Sequence, residues 1–322
     1  MKVFGKNMTM DIDIGVNRVD KLKAYKALTK VIPQDLVLLD EPMKNHTSFK
    51  IGGPADIMVI PETIDQLKSA IKLSKENQMP YFIIGNGSNL IVRDKGMRCI
   101  VIKIAEQFSK VSFQGNTVIA EAGILLSKLS KKIMAESLKG FEFASGIPGT
   151  LGGAITMNAG AYGGEMKDVV KGAHLLNDNG EVRYFTLEEL ELGYRTSIIQ
   201  KQGYIALDVE LALEKGDYQE ILEITRDLTE RRTTKQPLHL PSAGSVFKRP
   251  EGYFAGKLIQ DSGLKGQRVG GAQVSELHSG FIVNVGDATA KDVLDLIQLI
   301  KDRVYETFHV QLETEVRIVG EE

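Results

Sequence analysis

The sequence predicts an α+β fold of several packed parts, and three observations carry that prediction. The chain has 322 residues, 43% of them hydrophobic, enough for two or three domains. A strand–helix–strand pattern near the start gives way to runs of short strands separated by turns. Between Gly140 and Gly164 lie 25 residues with eight glycines and a single charge, Glu142. A solvated linker is polar, whereas this stretch is interleaved with Ile147, Leu151, Ile155, Met157 and two phenylalanines.

Taken in order, MKVFGKNMTMDIDIGVN has no long apolar core behind its basic residues and does not read as a secretory signal. Residues 1–18 read as irregular, either a leader or a disordered arm, and the sequence does not decide between them. Residues 20–31 form a short amphipathic helix. A Gly52-Gly53-Pro54 turn leads into the apolar strand Ile57–Ile60, which Pro61 ends. Glu62–Asn77 places Ile64, Leu67, Ile71 and Ser74 at helical spacing, and Tyr81–Ile84 completes a βαβ unit. From Met97 to Glu121 short strands alternate with turns. Leu126, Leu129 and Ile133 share one face of a helix over Leu125–Glu136.

Beyond the glycine-rich centre, Val169–Leu176 and Glu181–Phe185 make a hairpin across Asn177-Asp178-Asn179-Gly180. Thr186 and Glu189 have the spacing of a capping box that starts a short helix. Tyr204–Leu213 is a further strand. The polar helix Tyr218–Thr234 reads as a boundary, its Glu230, Arg231 and Arg232 end solvated. Val293, Leu296, Ile297, Ile300 and Val304 form the core face of a helix over Ala290–Phe308, and Val310–Val319 is the last strand.

Composition excludes several functions. A net charge of −2 leaves no general footprint for nucleic acid or an anionic membrane. One cysteine, Cys99, rules out a disulfide framework and a cysteine-rich metal site. No apolar run approaches the roughly 20 residues of a membrane span. The five histidines show no metal-ligand spacing, so no metal is expected, and neither a G-x-S-x-G elbow nor a P-loop occurs. A soluble protein of a reducing compartment, with no obligate protein partner, is the expectation.

Glycine-dense backbone reaches positive φ and approaches another molecule closely, and free N–H groups there attract an anion. The Gly140–Gly164 stretch therefore reads either as a cradle for a large phosphate-bearing cofactor or as a tightly packed crossover. Gly85-Asn86-Gly87-Ser88-Asn89-Leu90, directly after a buried strand, reads as a second cradle or a hairpin turn; it lacks the GxGxxG fingerprint. One long dinucleotide fits between two such cradles. Arg195 suits bidentate pairing with a carboxylate or phosphate, or a structural ion pair. Ser245, in AGSVF, presents a hydroxyl or merely bonds its own turn. Glu315 and Glu313 alternate onto one face, with a solvated carboxylate face as the plainer reading.

HTSFKIGGPAD, IIGNGSNLIV, ASGIPGTLGGAITMNAGAYGGE, LGYRTS, PSAGSVFKRP and LETEVRIVG together resemble the UDP-N-acetylenolpyruvoylglucosamine reductase family, in its order and over about residues 40–320. The resemblance implies an α+β fold with a two-part FAD-binding region of the vanillyl-alcohol-oxidase-like superfamily and a C-terminal α+β substrate domain. It implies FAD-binding parts at residues 20–105, joined by a returning strand at 310–322, and at 106–215, with the UDP-sugar domain at 216–308. The FAD contacts it implies are Gly85, Asn86, Gly87, Ser88, Asn89 and Leu90, then Gly146, Ile147, Pro148, Gly149, Gly152, Gly153 and Ala154, with Asn158, Gly160 and Ala161 adjoining. Arg195, Ser245 and Glu315 match the family's catalytic residues, and Tyr194, Lys248 and Arg317 are substrate candidates.

The implied reaction is cytoplasmic, in peptidoglycan precursor synthesis: NADPH reduces FAD, and reduced FAD delivers hydride to the β-carbon of UDP-N-acetylglucosamine enolpyruvate. Arg195 and a protonated Glu315 stabilise the enolate-like charge, and Ser245 gives the proton to the α-carbon. No histidine lies in Gly85–Leu90 to attach FAD, so non-covalent binding is expected rather than the histidyl linkage of many related oxidases. About 50 residues separate Arg195 from Ser245, as in the family's shorter form.

Overall fold

A computed structural model describes residues 21–322 of the chain, so the irregular stretch expected over residues 1–18 lies outside the described residues. Helix α1 (Lys21–Leu28) buries Ala24 and Leu28. Strand β1 (Val37–Pro42), whose VLLDEP sequence has no period-two pattern, runs antiparallel to β2 (Pro54–Val59). Thr63 caps α2 (Ile64–Glu76) by accepting from the Gln66 N–H, and Leu67, Ala70, Ile71 and Ser74 are buried. Ile64, expected on that face, is exposed; Ala70 completes the stripe.

Strands β3 (Tyr81–Ile84), β4 (Leu90–Val92) and β5 (Met97–Lys103) follow. The first sheet runs β1-β2-β5-β3, with β5 parallel to both β2 and β3. The expected βαβ unit is therefore split, because a later strand lies between its two strands. Leaving the edge strand β3, the chain makes the Gly85–Asn89 loop and enters β4, which does not pair with β3. That loop is not a hairpin turn.

Strands β6 (Val111–Gln114) and β7 (Thr117–Glu121) precede α3 (Leu126–Ala135), which buries Leu126, Leu129 and Ile133 as its spacing requires. After β8 (Leu138–Lys139), the glycine-rich stretch holds a short helix, α4 (Leu151–Thr156), and a small hairpin of β9 (Gly160–Ala161) with β10 (Gly164–Glu165). Strands β11 (Val170–Leu176) and β12 (Val182–Thr186) pair across the Asn177–Gly180 turn, where Asn177 Oδ1 accepts from the N–H groups of Asn179 and Glu181.

The helix expected from Thr186 does not form. Its reciprocal capping bonds with Glu189 are present, but Glu191 at φ 47° is left-handed and stops the chain after one turn. Next come α5 (Ile198–Gln202), β13 (Ile205–Ala212) and β14 (Glu214–Lys215), the last pairing with β8. The second sheet is antiparallel throughout, β12-β11-β13-β7-β6.

The C-terminal part contains α6 (Tyr218–Lys235), β15 (Ser242–Ser245), α7 (Ala255–Asp261), β16 (Arg268–Val269), β17 (Ala272–Val274), β18 (Phe281–Asn284) and α8 (Ala290–Phe308). Its sheet order is β15-β18-β17-β16. A Thr289–Asp292 capping box starts α8, whose Val293, Leu296, Ile297, Ile300 and Val304 are buried, and His309 ends it in the left-handed region. The expected strand over Val310–Val319 shrinks to β19 (Arg317–Val319), parallel to β4. One core unites the first and second sheets through residues such as Ile57, Ile100, Val118, Leu151 and Val209. A second joins the C-terminal sheet and α8 to Phe49, Ile51 and Ile91 from the first part.

Candidate active site

The two glycine-rich segments meet face to face. Asn86 Nδ2 donates to the Pro148 carbonyl at 3.0 Å, and a Cβ on Gly149 would lie 3.5 Å from Ser88 Oγ. A Cβ on Gly85 would overlap Thr150 Oγ1, and one on Gly87, at φ 62°, would overlap the His46 carbonyl. Glycine at both positions is thus required by close approach of protein to protein.

The segments differ in what they offer a ligand. In the second, the N–H groups of Leu151, Gly152 and Ala154 go to Ile124 O, Ala122 O and Thr150 O, and that of Gly153 to Thr150 Oγ1. Its short helix therefore has few N–H groups left for an anion. In the first, the N–H groups of residues 86–89 have no acceptor among the described residues. The free donors of the cradle lie on the GNGSN loop.

Arg232 corrects the sequence reading. The charged end of α6 was expected in solvent, yet its Nε is buried without a hydrogen-bond partner among the described residues. A Cβ on Gly146 would stand 2.8 Å from Arg232 Cδ, so the guanidinium rests on the GIPG turn. Burial lowers its pKa, with desolvation the largest cause. A half-buried guanidinium whose Nε has no partner among the described residues, beside a glycine turn, is the donor a phosphate needs. Free loop N–H groups and this cation fit the diphosphate of FAD. Nothing in the TERRTTK sequence marks Arg232, because its partner turn is far away in the chain.

Asn158, expected to adjoin the cofactor, spends its side chain inside the protein. Fully buried at φ 44°, it donates to Glu165 Oε2 at 2.8 Å and to Gly193 O at 3.1 Å, and accepts from the Lys167 N–H at 2.9 Å. It thereby fixes the Gly193–Thr196 turn that carries Tyr194 and Arg195. Arg195 is itself at φ 56°, a left-handed conformation disfavoured for a residue with a Cβ. Ser197 Oγ anchors the far side of the turn on Thr156 O at 2.6 Å.

Arg195, Ser245 and Glu315 line one cavity of about 750 Å³, together with Gly160, Ala161 and Tyr194. Arg195 Nε donates to Glu315 Oε1 at 2.6 Å, and the Glu315 side chain is only 12% exposed. Burial raises the Glu315 pKa, outweighing the opposing pull of Arg195. Asn89 Nδ2 donates to the Glu315 carbonyl at 3.2 Å, tying this segment to the GNGSN loop. The Glu315 N–H bonds Val246 O at 2.8 Å, which sets Glu315 beside Ser245. The expectation that Glu313 and Glu315 share a face fails, because residues 310–316 are not a strand. Glu313 is exposed and paired with Lys248 Nζ at 3.0 Å.

That ion pair holds Lys248 outside the cavity lining. Arg317 is absent from it too: its guanidinium lies over the Phe82 ring at 5.6 Å, beside the strand that leads into Gly85. In their place the cavity mouth carries Arg249, stacked over the Phe254 ring at 4.1 Å. The Tyr194 hydroxyl accepts from the Arg249 N–H at 3.0 Å. His278 and Ser279 complete the wall nearest Ser245. Arg249 lies within the PSAGSVFKRP motif, though not among the expected site residues, and Phe254, His278 and Ser279 have no periodic or motif signal. Among the described residues no cluster of metal ligands exists and no helix is long and apolar enough to cross a membrane.

This arrangement defines a flavoprotein: residues 55–186 match the FAD binding domain family, and the fold is that of the vanillyl-alcohol-oxidase-like proteins. A p-cresol methylhydroxylase crystal structure with substrate bound shares that fold, with a TM-score of 0.50 at 14% identity over 94% of this chain and 67% of that one. Residues 236–319 match the C-terminal domain of UDP-N-acetylenolpyruvoylglucosamine reductase. The reductase of that name from Alkaliphilus metalliredigens is 64% identical over 94% of this chain and all of its own length, and that from Clostridioides difficile is 55% identical over 92% and 98%. The Thermus caldophilus crystal structure superposes with a TM-score of 0.75 at 38% identity, covering 88% of this chain and 97% of that one. The chain belongs to the UDP-N-acetylenolpyruvoylglucosamine reductase family.

Proposed function

We propose that this chain is the NADPH-dependent reductase that converts UDP-N-acetylglucosamine enolpyruvate to UDP-N-acetylmuramate, a cytoplasmic step in making peptidoglycan precursors. One observation carries the reading: Arg195, Ser245 and Glu315 converge in a cavity that Asn89 links to the GNGSN loop. Under it the chain divides into FAD-binding parts at 20–105 with 310–322 and at 106–215, and a substrate part at 216–308.

FAD, when bound, supplies the hydride. The N–H groups of residues 86–89 and the Arg232 guanidinium would hold its diphosphate. In the cavity, Arg195 orients the substrate carboxylate and offsets the charge that develops on it. Glu315, whose burial favours the neutral acid, donates a hydrogen bond to the same oxygens. Among the described residues Ser245 Oγ donates only to Phe247 O, at a long 3.3 Å, a weak bond from which its proton can be redirected to the substrate α-carbon. A hydroxyl is a weak acid, and the strongly basic carbanion makes the transfer downhill.

Separating the two half-reactions tests this. In Ser245→Ala, NADPH bleaches the flavin at nearly the wild-type rate, whereas reoxidation by the enolpyruvyl ether slows by about 10²–10⁴-fold, the usual worth of a positioned acid. Ser245→Cys recovers part of the loss. Equal slowing of both halves, or unaffected reoxidation, removes Ser245 from the reaction.

A further inference from the structure

The loop between β17 and β18 turns two polar groups, one of them buried, toward the cavity with no side-chain partner among the described residues. Ser279 is 6% exposed, lines the cavity, and has no hydrogen-bond partner for its Oγ among the described residues. Its neighbour His278 also lines the cavity. The Gly280 N–H donates to His278 Nδ1 at 3.1 Å, which places the proton of the neutral ring on Nε2. Burial lowers the His278 pKa and keeps that ring neutral. Nε2 has no protein partner among the described residues.

The loop is built to hold both groups still. Ser275 Oγ accepts from the N–H groups of Leu277 and His278, at 3.1 and 3.2 Å, and the Phe281 N–H returns to His278 O at 2.9 Å. The imidazole rests edge-on against Phe281, ring centroids 5.0 Å apart. The same loop is fastened to the strand of Ser245, since the Val246 N–H bonds Gly280 O at 2.9 Å and Ser245 registers with Phe281. A fixed neutral donor and a buried hydroxyl thus stand one strand away from the proton donor of the reaction.

A buried polar group left unpaired costs free energy, so the Ser279 hydroxyl, next to a fixed imidazole donor that also faces the cavity, marks a place where a ligand completes the bonding. Resting on the proposed reaction, the chemistry of its substrate says which group. The enolpyruvyl ether is on the sugar C3, so its neighbour on the ring is the 2-acetamido group. That group is neutral and offers a carbonyl acceptor and an N–H donor, the complement of an imidazole N–H and a serine oxygen. We infer that His278 and Ser279 read the 2-acetamido group of the hexosamine, making this loop the determinant of sugar specificity.

Binding of UDP-N-acetylglucosamine and UDP-glucose to the FAD-loaded protein, by calorimetry, tests this without turnover. The wild type binds the acetamido sugar tighter by about 10–100-fold, the worth of one or two hydrogen bonds whose loss leaves a buried partner unmet. His278→Phe with Ser279→Ala brings that ratio to within about threefold of one, and His278→Gln, which still donates, keeps part of it. A wild-type ratio near one, or a double variant that weakens both sugars equally, overturns the inference. So does a variant that instead loses discrimination between UDP-N-acetylglucosamine and its C4 epimer. Wild-type protein that discriminates the sugars but cannot be reoxidised by the enolpyruvyl ether sinks the proposed reaction and leaves the acetamido site standing.

Discussion

Asn158 separates positioning of Arg195 from binding of the cofactor. Replacing it removes three hydrogen bonds: to Glu165 Oε2 at 2.8 Å, to Gly193 O at 3.1 Å and from the Lys167 N–H at 2.9 Å. Two are neutral bonds worth about 0.5–1.5 kcal/mol each, and the one to the carboxylate is worth about 1.5–3 kcal/mol. Asn158→Gly, which keeps φ 44° without strain, therefore loses about 2.5–6 kcal/mol. Asn158→Ala loses about 1 kcal/mol more, the left-handed penalty less glycine's greater unfolded-state entropy. Denaturant unfolding of the two variants measures both terms.

The functional consequence is one-sided. Asn158 holds the turn of Arg195 from below, and its carbonyl accepts from Arg195 Nη1 at 3.5 Å. Flavin absorbance per protein stays at the wild-type value in Asn158→Gly. Reoxidation by the enolpyruvyl ether falls about 10²-fold, as expected when a catalytic group is misplaced by about 1 Å. Loss of flavin, with normal turnover in whatever molecules retain it, would refute the reasoning and return Asn158 to the cofactor.

Glu315→Gln keeps markedly more reoxidation activity than Glu315→Ala, since the amide still donates, and equal severe losses in folded variants disprove a neutral donor. Because burial raises the Glu315 pKa, the wild-type rate falls as pH climbs through that raised value and the Gln variant is flat there; for the same reason the native Glu315 contributes stability below its ordinary carboxylate pKa and loses it as pH rises through the folded one. Arg232→Met weakens FAD binding to the apoprotein by about 10–100-fold, the loss of a charge-assisted bond, in a flavin fluorescence titration. Arg231→Met, whose guanidinium pairs with Asp227, serves as the unaffected control. A Cβ on Gly152 meets Ala122 Cβ at 2.9 Å while one on Gly153 finds Thr150 Oγ1 at 3.5 Å, so Gly152→Ala costs about 1–3 kcal/mol of stability and Gly153→Ala is neutral or stabilising.

Local chemistry was legible where it acts within a few residues. The capping box and apolar stripe of α8 give its limits in the sequence alone, and Asn177–Gly180 announces its hairpin. The same local rule misled at Thr186, where the box forms but a left-handed Glu191 cuts the helix short. Strand order lies beyond such rules: that β5 separates β2 from β3 is decided by packing across the sheet. Arg195, Ser245 and Glu315 were found through a resemblance spanning six motifs. Arg232 was misread as solvated for want of any sequence sign of the Gly146 turn it meets. Period-two reasoning failed at Glu313 and Glu315 because the segment pairs only at Thr314, opposite Phe247.

The site needs parts of the chain that no single sheet supplies. Arg195 stands on a turn beside the second sheet, Ser245 belongs to the C-terminal part, and Glu315 lies on the segment that returns from α8 to β4, yet Arg195 and Glu315 must meet at 2.6 Å. Residues around the first glycine loop make that meeting hold. Ser48 Oγ donates to Ser242 O at 2.6 Å while the Ser48 N–H bonds Gly87 O at 3.2 Å. Phe49, Ile51 and Ile91 are buried in the C-terminal core, and Asp94 accepts from the first two N–H groups of α8 at 2.8 and 3.0 Å. β4, which leaves the loop, carries β19, and Asn89 within the loop holds the Glu315 carbonyl. The segment proposed to receive the cofactor is therefore the one that docks the C-terminal part. Free energy gained on filling the cradle is spent on the native arrangement of the whole, the catalytic pair included.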